Sequence, residues 1–372
     1  MRVLSTLALI LSFALFGDCG EHSKAPPRPS LINARELVRP FEVQPLREVP
    51  NWAIVEEPPL FTFAWLSDLH MTKASMERTR RAFEYIDVEL RPFFVVFTGD
   101  NNAYAPAEAS AASTHTRPYR LHKFFRRFLE EHLKSPAVVL PGDNWGQDFE
   151  KVFGPFQFGF DVGGMHFLFA SLDYEARGVE GAGGFDESTW AWIQEDLTRN
   201  LDRPTIFMMH ETILPPSFPE AVRLRRLLDA SPNVIAACTG HLHLDLEFDL
   251  DRVKYFVGPA VGPHPRHGFK HALVYRNRVV LRTIEYEADR ARYAPTMKFQ
   301  KIDIPEPLRN ALRKPSGAFR KERYAFVADH PRRHDPELRR RQSETATALT
   351  RFGVELAWRK LGKAAPFPKT PE

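Results

Sequence analysis

Five short apolar runs, each followed closely by aspartate or histidine, constrain the fold of this chain more than any other feature. The runs occupy residues 61–66, 93–98, 137–140, 205–209 and 234–238. An apolar run of four to eight residues that ends in a turn is typical of a buried strand. Open α/β sheets place their ligand sites beyond the carboxyl ends of such strands. The sequence therefore predicts an α/β fold whose polar side chains converge at one edge.

The polar clusters contain only aspartate and histidine as strong metal ligands, a mixture that suits hard and borderline divalent metals. Taken singly, Asp68 could cap a helix, and Asp100 and Asp143 could be turn residues. The occurrence of five such clusters in sequence favours a metal site instead. The candidate metal ligands are Asp68, His70, Asp100, Asp143, His210, His241 and His243.

The order of these clusters resembles the pattern of the calcineurin-like metallophosphoesterase superfamily, which is D-x-H, G-D, G-N-H-[DE], a lone histidine and G-H-x-H. The resemblance covers roughly residues 61–286. It implies a four-layer α-β-β-α sandwich, in which two stacked mixed sheets are flanked by helices. The matching segments are Asp68-Leu69-His70, Gly99-Asp100, His210 and Gly240-His241-Leu242-His243.

The same resemblance implies a site for two metal ions (Mn, Zn or Fe) bridged by Asp100. Its first ion would bind Asp68, His70 and His243, and its second Asp143, His210 and His241. Paired ions of this kind lie about 3.5–4 Å apart and activate a water for in-line attack. The implied activity is hydrolysis of a phosphomonoester or phosphodiester by a metal-bound hydroxide, with Asp100 and His241 among the catalytic residues.

The third motif departs from the family pattern, because Gly142-Asp143-Asn144-Trp145 stands where the family has G-N-H-[DE]. Three carboxylates against two divalent ions leave a net charge of +1, which favours tight cation binding, even of ferric iron, over attraction of an anionic substrate. We expect Asn144 to contact the substrate phosphate, but an amide cannot transfer a proton near neutral pH. Candidate replacement acids are His115, His264 and His267.

The altered motif leaves two classes of function open. The chain is predicted to be a metal-dependent phosphoesterase acting on a phosphorylated small molecule or a phosphodiester. The alternative is a catalytically weakened metal-binding module of the same fold, with a binding or structural role. Turnover of a phosphoester by the metal-loaded protein distinguishes the two.

Residues 1–19 are typical of a secretory signal, with Arg2 before an apolar stretch too short for a membrane span. They predict export to the periplasm or cell envelope, with a retained N-terminal anchor as the alternative. Cys19, at the end of this segment, suggests a lipoprotein whose lipid would attach it to the membrane. Asp18 occupies a place normally held by a small residue, so lipid attachment at Cys19 stays open.

The rest of the chain divides by composition. Residues 20–59 are rich in proline and predict an extended tether, of which residues 37–49 are apolar enough to lie along the domain. Residues 60–304 form the predicted catalytic domain. Residues 305–372 carry 16 basic and 8 acidic residues, a net charge of +8. This extension could meet an anionic surface or could be a solvated helix over residues 336–361, and it contains no specific nucleic-acid motif.

Helical spacing of apolar residues predicts four helices within the domain, over residues 75–89, 118–133, 189–200 and 219–228. Consecutive strands are predicted after His243, over residues 244–250, 255–257, 271–275 and 278–286. Strand–helix units followed by a run of strands fit two stacked sheets with flanking helices. The sequence leaves the oligomeric state open.

Overall fold

The computed structural model describes residues 41–54, 57–106, 116–144, 146–172, 184–185, 187–214, 217–218, 220–250, 252–262 and 267–319. Several predictions fall outside these ranges. They concern the signal segment with Cys19, most of the tether, Trp145, His115, His264 and the helix over 336–361.

Two mixed sheets form the centre of the domain. The strands, β1 to β13, are Phe41–Glu42, Phe61–Leu66, Phe94–Phe97, Ala137–Val139, Phe158–Val162, Met165–Phe169, Thr205–Met208, Val234–Thr239, Leu246–Leu250, Val253–Val257, Gly268–Val274, Arg278–Glu287 and Arg292–Asp303. The six-stranded sheet has the order β13-β12-β11-β2-β3-β4. The seven-stranded sheet has the order β1-β9-β10-β8-β7-β6-β5.

Five α-helices lie among the described residues. They are α1 (Met76–Tyr85), α2 (Arg117–His132), α3 (Glu150–Phe153), α4 (Glu187–Arg199) and α5 (Ala221–Ala230). A π-helical turn, Ile86–Leu90, continues α1, and a 3-10 helix covers Glu306–Ala311. All four helices predicted from apolar spacing are present within a few residues, as are the four predicted strands after His243.

The layers follow from strands that are apolar on both faces. Along β7, Met208 points into the core shared by the two sheets, whereas Phe207 packs with the helical layer of α4 and α5. Alternate residues of a strand face opposite sides of a sheet, so a continuous apolar run is buried twice. On the other sheet, Phe97 packs against Phe83 of α1 and Phe125 of α2. The predicted four-layer α/β sandwich is confirmed.

The strand directions bring the polar loops to one edge. Strands β2, β3 and β4 run parallel in one sheet, and β6, β7, β8 and β10 run parallel in the other. A bridge between Ser67, which follows β2, and Ala260, which follows β10, joins the two sheets at this edge. The carboxyl ends of both sets of parallel strands therefore meet.

Four strands have no counterpart among the predicted elements. They are the two-residue strand β1, the hairpin of β5 and β6 and the long strand β13. Strand β13 contains Pro295 and several charged residues, and its pairing with β12 shifts register between Arg282 and Ile284. Its apolar alternation is correspondingly weak, and pairing with β12 determines its conformation.

Segments on both sides of the central domain pack against it. Before the domain, the Leu46 amide donates to the Met297 carbonyl at 2.9 Å, and the Trp52 ring contacts that of Phe299. After β13, Leu312 is buried and the Phe319 ring stacks on that of Phe94 at 5.2 Å. Within the part of the chain described, no helix is both long and apolar enough to cross a membrane.

Candidate metal centre

Seven side chains from five loops meet beyond the carboxyl ends of the parallel strands. Their possible ligand atoms form three groups, within each of which all atoms lie within 4.8 Å of one another. The groups are Asp68, His70 and His243; Asp143, His210 and His241; and Asp68, Asp100 and His210. The first two groups coincide with the two sets of residues that the family resemblance assigns to separate ions.

In the first group, two imidazoles and a carboxylate point at a common position. The His243 Nε2 atom lies 3.2 Å from Asp68 Oδ1 and 3.0 Å from His70 Nε2. The His70 Nε2 atom is also 3.3 Å from Asp100 Oδ2. Three strong ligands therefore converge from two motifs that lie far apart in the sequence.

In the second group, Asp143 contacts both imidazoles. Its Oδ1 atom lies 3.3 Å from His210 Nε2, and its Oδ2 atom lies 3.6 Å from His241 Nδ1. The His210 Nε2 atom is also 3.7 Å from Asp100 Oδ1. Asp100 thus directs one carboxylate oxygen towards each group, as a bridging ligand would.

The backbone at these residues is held in an unusual conformation. Asp68, Asp100 and His241 have φ angles of 52°, 51° and 71°. These lie in the left-handed region, which residues other than glycine rarely adopt. Five of the eight described non-glycine residues with positive φ are candidate ligands, His70 and His243 being the others. Strain of this kind, about 1–3 kcal/mol per residue, persists where the surrounding structure fixes a functional geometry.

Glycine at positions 99 and 142 lets the loops approach closely. Gly99 has φ 114°, and a Cβ atom there would lie 2.6 Å from His210 Nδ1. Gly142 has φ 88°, and a Cβ atom there would overlap the backbone nitrogen and a carboxylate oxygen of Asp100. Gly99 and Gly142 are therefore required for two reasons: a Cβ atom would clash with neighbouring atoms, and both residues have a positive φ angle.

A backbone carbonyl that the sequence analysis missed orients His210. The His210 Nδ1 atom lies 2.9 Å from the carbonyl oxygen of Thr98, so Nδ1 carries the proton and donates it. This leaves Nε2 facing the three carboxylates, the arrangement usual for a metal-binding histidine. Every residue has a carbonyl group, so no sequence signal could have identified Thr98.

Burial and mutual charge set the ionisation of the cluster. Burial, followed by the charge of Asp143, raises the pKa of Asp100 to about 6. Burial alone would lower the pKa of His210, but the charges of Asp100 and Asp68 outweigh it and raise that pKa to about 10. The carboxylates therefore attract positive charge strongly at this position.

Asn144 is directed at the carboxylates. Its backbone amide donates to Asp100 Oδ1 at 2.9 Å, and its side-chain amide donates to Asp100 Oδ2 at 2.5 Å. A third hydrogen bond joins the same amide group to Asp143 Oδ1 at 3.2 Å. In this geometry Asn144 orients the Asp100 carboxylate, a role that the sequence did not suggest.

Two further ionisable residues have different surroundings. Glu211, which follows His210 in the sequence, is fully buried, and the hydrogen bond that orients His210 is to the Thr98 carbonyl. Burial, followed by the charge of Asp143, raises the pKa of Glu211 to about 8. The candidate acid His267 lies beside Tyr286, with ring centroids 6.2 Å apart.

The residues present fit metal ions well. Asp68 Oδ1 and His210 Nε2 are buried, and neither has a hydrogen-bond partner among the described residues. A buried polar atom without a partner costs about 1–3 kcal/mol, which a bound cation would remove. Three carboxylates and four imidazoles are the ligands that Zn, Mn and Fe accept.

Residues 61–245 match the family model of the calcineurin-like phosphoesterases. This chain therefore carries a domain of the calcineurin-like phosphoesterase family, as the motifs indicated. The family typically binds two metal ions, and the two ligand groups described above are the candidate positions. A search of curated protein sequences found no significant match.

Solved structures are similar to this chain at low sequence identity. A dimetal phosphatase from Danio rerio is 14% identical, with a TM-score of 0.51. The match covers 66% of this chain and 100% of the phosphatase chain. The GAP50 protein of Plasmodium, the anchor in the inner membrane complex, is 15% identical, with a TM-score of 0.44. That match covers 66% of this chain and 89% of the GAP50 chain. The first of these structures supports the architecture of two mixed sheets with flanking helices.

Proposed function

We propose that this protein is an exported phosphoesterase that hydrolyses a phosphomonoester or phosphodiester with two divalent metal ions. The observation that carries the proposal is the position of Asp100, whose two oxygens face two separate groups of ligands. A carboxylate shared in this way suits a pair of ions rather than a single one. The similarity to a dimetal phosphatase in fold agrees with the proposal.

The proposed ligand sets are those that the motifs suggested. One ion would bind Asp68, His70 and His243, and the other Asp143, His210 and His241, with Asp100 between them. When bound, two such ions activate a water and neutralise the charge of a phosphate group.

The chain's own residues complete the site. Thr98 fixes the proton of His210 on Nδ1, and Asn144 holds Asp100 in place through two hydrogen bonds. The exposed sides of His70, His241 and His243 form the opening through which a substrate would enter, because these three imidazoles are only partly buried. To donate to the phosphate, the Asn144 side-chain amide would have to release the carboxylate of Asp100 or that of Asp143, because both of its N–H groups are engaged.

Hydrolysis of p-nitrophenyl phosphate and bis(p-nitrophenyl) phosphate by protein loaded with Mn²⁺, Zn²⁺ or Fe tests the proposal. We expect turnover that falls at least about 100-fold in Asp100→Asn and His241→Ala, since even residues that merely support a metal ligand contribute 10–100-fold. His132→Ala is a control, because His132 ends helix α2 away from the centre. Equal rates in all four proteins would contradict the assigned site.

The second candidate function is a metal-binding module without turnover. The observation that favours it is the amide of Asn144, which is engaged with Asp100 and Asp143 and cannot act as an acid. Tight binding of metal with no hydrolysis of either ester would select this function.

We propose export from the N-terminal segment, with Cys19 as the site of a membrane-attaching lipid. Expression of the full chain in a bacterium, followed by fractionation and labelling with radioactive palmitate, tests both parts. We expect label in the wild type and none in Cys19→Ser. Recovery of the unlabelled wild type from the cytoplasm would contradict export and lipid attachment together.

A further inference from the structure

A cavity of about 280 Å³ lies on the six-stranded sheet, on the face turned away from the core between the sheets. It is bounded by strands β11, β12 and β13, by the end of α1 and by the segment before β2. None of its lining residues belongs to the candidate metal centre. They are Ala53, Tyr85, Leu90, His271, Leu273, Tyr275, Val280, Arg282, Ile284, Pro295 and Phe299.

Most of the cavity wall is apolar, but one cross-strand pair brings two nitrogen-bearing groups into it. His271 of β11 is directly opposite Arg282 of β12, so both side chains are on the same face of the sheet. The ring of Phe299 lies 5.1 Å from the Arg282 guanidinium. The cavity thus combines an apolar surface with a positively charged side chain.

Both polar groups of this pair have hydrogen-bonding capacity that the described residues leave unused. The Arg282 Nε atom donates to the Thr296 carbonyl at 2.9 Å, but the guanidinium forms no ion pair with a described acidic residue. The His271 Nε2 atom is buried and has no described hydrogen-bond partner. A charge and a polar atom in such surroundings favour a ligand that pairs with both.

The ionisation of His271 fits this interpretation. Burial, followed by the charge of Arg282, lowers the pKa of His271 to about 4. The imidazole is therefore neutral near pH 7, and one of its ring nitrogens carries a proton that it can donate. Arg282 then supplies the only full positive charge among the cavity-lining residues.

We propose that this cavity binds a small monocarboxylic acid with an apolar body. The guanidinium of Arg282 would pair with the carboxylate, a geometry that arginine favours, and His271 Nε2 would donate to the same group. Leu273, Val280 and Ile284 would surround the apolar body. Small-molecule pockets usually span about 300–1,000 Å³, so this cavity, just below that range, suits a compact ligand such as an aromatic acid.

Isothermal titration of the full-length protein with benzoate tests the proposal. We expect saturable binding of benzoate, and binding at least about tenfold weaker for benzamide, which has the same shape without the charge. The variant Arg282→Met should weaken benzoate binding by a similar factor. Arg199→Met is the matched control, because Arg199 lies on α4 and pairs with Glu195.

Because carboxylates also bind metal ions, the titration is repeated with Asp100→Asn, which alters the candidate metal centre. Benzoate binding that persists in Asp100→Asn and is lost in Arg282→Met assigns it to the cavity. Thermal unfolding of each variant checks that it is folded, and Val280→Phe, which fills the cavity without removing charge, provides a second way to abolish binding. Absence of benzoate binding to the wild type, or equal binding to the wild type and Arg282→Met, overturns the proposal.

Discussion

At the scale of single residues, Asp143 distinguishes this centre from the family pattern. The family places a neutral asparagine at this position, whereas here a carboxylate lies within 3.6 Å of both His210 and His241. The extra negative charge strengthens the attraction for cations and weakens that for an anionic substrate. Asn144 beside it occupies the place of an imidazole that could transfer a proton.

Restoring the family pattern with Asp143→Asn and Asn144→His should raise turnover. A positioned acid contributes about 10²–10⁴-fold, and an increase of at least about tenfold in the hydrolysis of p-nitrophenyl phosphate is expected. Metal content, measured by elemental analysis, should fall at limiting metal because one carboxylate is lost. Unchanged or lower turnover at saturating metal would show that the site depends on its own residues in another way.

The clash that a side chain at position 142 would make with Asp100 can be separated from the strain of the positive φ angle there. Gly142→Ala would place a Cβ atom on Asp100, whereas Gly154, with φ 84°, has nothing within 4 Å of such an atom. Each substitution should cost about 1–3 kcal/mol through strain. Only Gly142→Ala should also abolish metal binding, measured by titration with Mn²⁺. Equal metal binding by the two variants would contradict the steric explanation.

At the scale of elements, a buried polar network connects three strands with the loop that carries His243. Lys270 of β11 donates to Asp245 Oδ1 at 2.6 Å, to Thr283 Oγ1 at 2.8 Å and to Gln300 Oε1 at 2.6 Å. Asp245 follows His243 by two residues and directly precedes strand β9 of the seven-stranded sheet. The network therefore links the position of a candidate ligand loop to the six-stranded sheet.

Removing the cation of this network should destabilise the fold strongly. In Lys270→Met the buried Asp245 carboxylate loses its charged partner, which typically costs about 3–5 kcal/mol. Urea unfolding measures the loss. The double variant Lys270→Met with Asp245→Leu should recover part of it, because no unpaired charge remains. A double variant less stable than the single one would contradict this account.

His166 couples the β5–β6 hairpin to α4 in a pH-dependent way. Its Nδ1 and Nε2 atoms lie 2.7 Å from Asp161 and from Asp196. Burial would lower the pKa of His166, but these hydrogen bonds outweigh it and raise the pKa. The folded state thus retains a proton that the unfolded chain releases near pH 6.5. This stabilisation is complete below that pH and is lost as pH rises through the folded pKa.

Urea unfolding of the wild type and His166→Gln over about pH 5–9 tests this coupling. The wild type should lose more unfolding free energy than the variant as pH rises, because glutamine does not titrate in this range. The difference between the two curves removes the contribution of the histidines at the metal centre. Parallel curves would show that His166 does not contribute to the pH dependence.

At the scale of the whole molecule, the chain continues to pack on the core after residue 304, where the sequence predicted the end of the domain. Leu308, Leu312 and Phe319 are all buried, and Phe319 contacts the rings of Phe93 and Phe160 as well as Phe94. Burial of one large apolar side chain contributes about 1.5–3 kcal/mol. Residues 305–319 therefore contribute to the stability of the domain.

Two truncations measure this contribution. Removal of residues 305–372 should cost more unfolding free energy than removal of residues 320–372. The longer deletion exposes the surface under three buried side chains, so it should cost several kcal/mol more, about 1.5–3 for each. Urea unfolding of both chains provides the comparison, and equal stabilities would contradict a structural role for residues 305–319.

The sequence by itself determined the ligand types and the local elements. Apolar runs predict strands and helical spacing predicts α1, α2, α4 and α5, because these features are encoded within a few residues of one another, where strand and helix periods act. The four-layer fold was inferred from the resemblance of the ordered Asp and His clusters over residues 61–286 to a family pattern. Strand β13 escaped prediction because its pairing with β12, rather than its own pattern, determines it.

Only the tertiary structure decided which atoms meet. His70 and His243 are separated by 173 residues, yet their Nε2 atoms lie 3.0 Å apart because parallel strands of two sheets end at one edge. The Thr98 carbonyl, the direction of the Asn144 amide and the cavity beside Arg282 likewise depend on the relative placement of distant strands. Side-chain type is a local property, whereas distance between remote side chains follows from sheet order and strand direction.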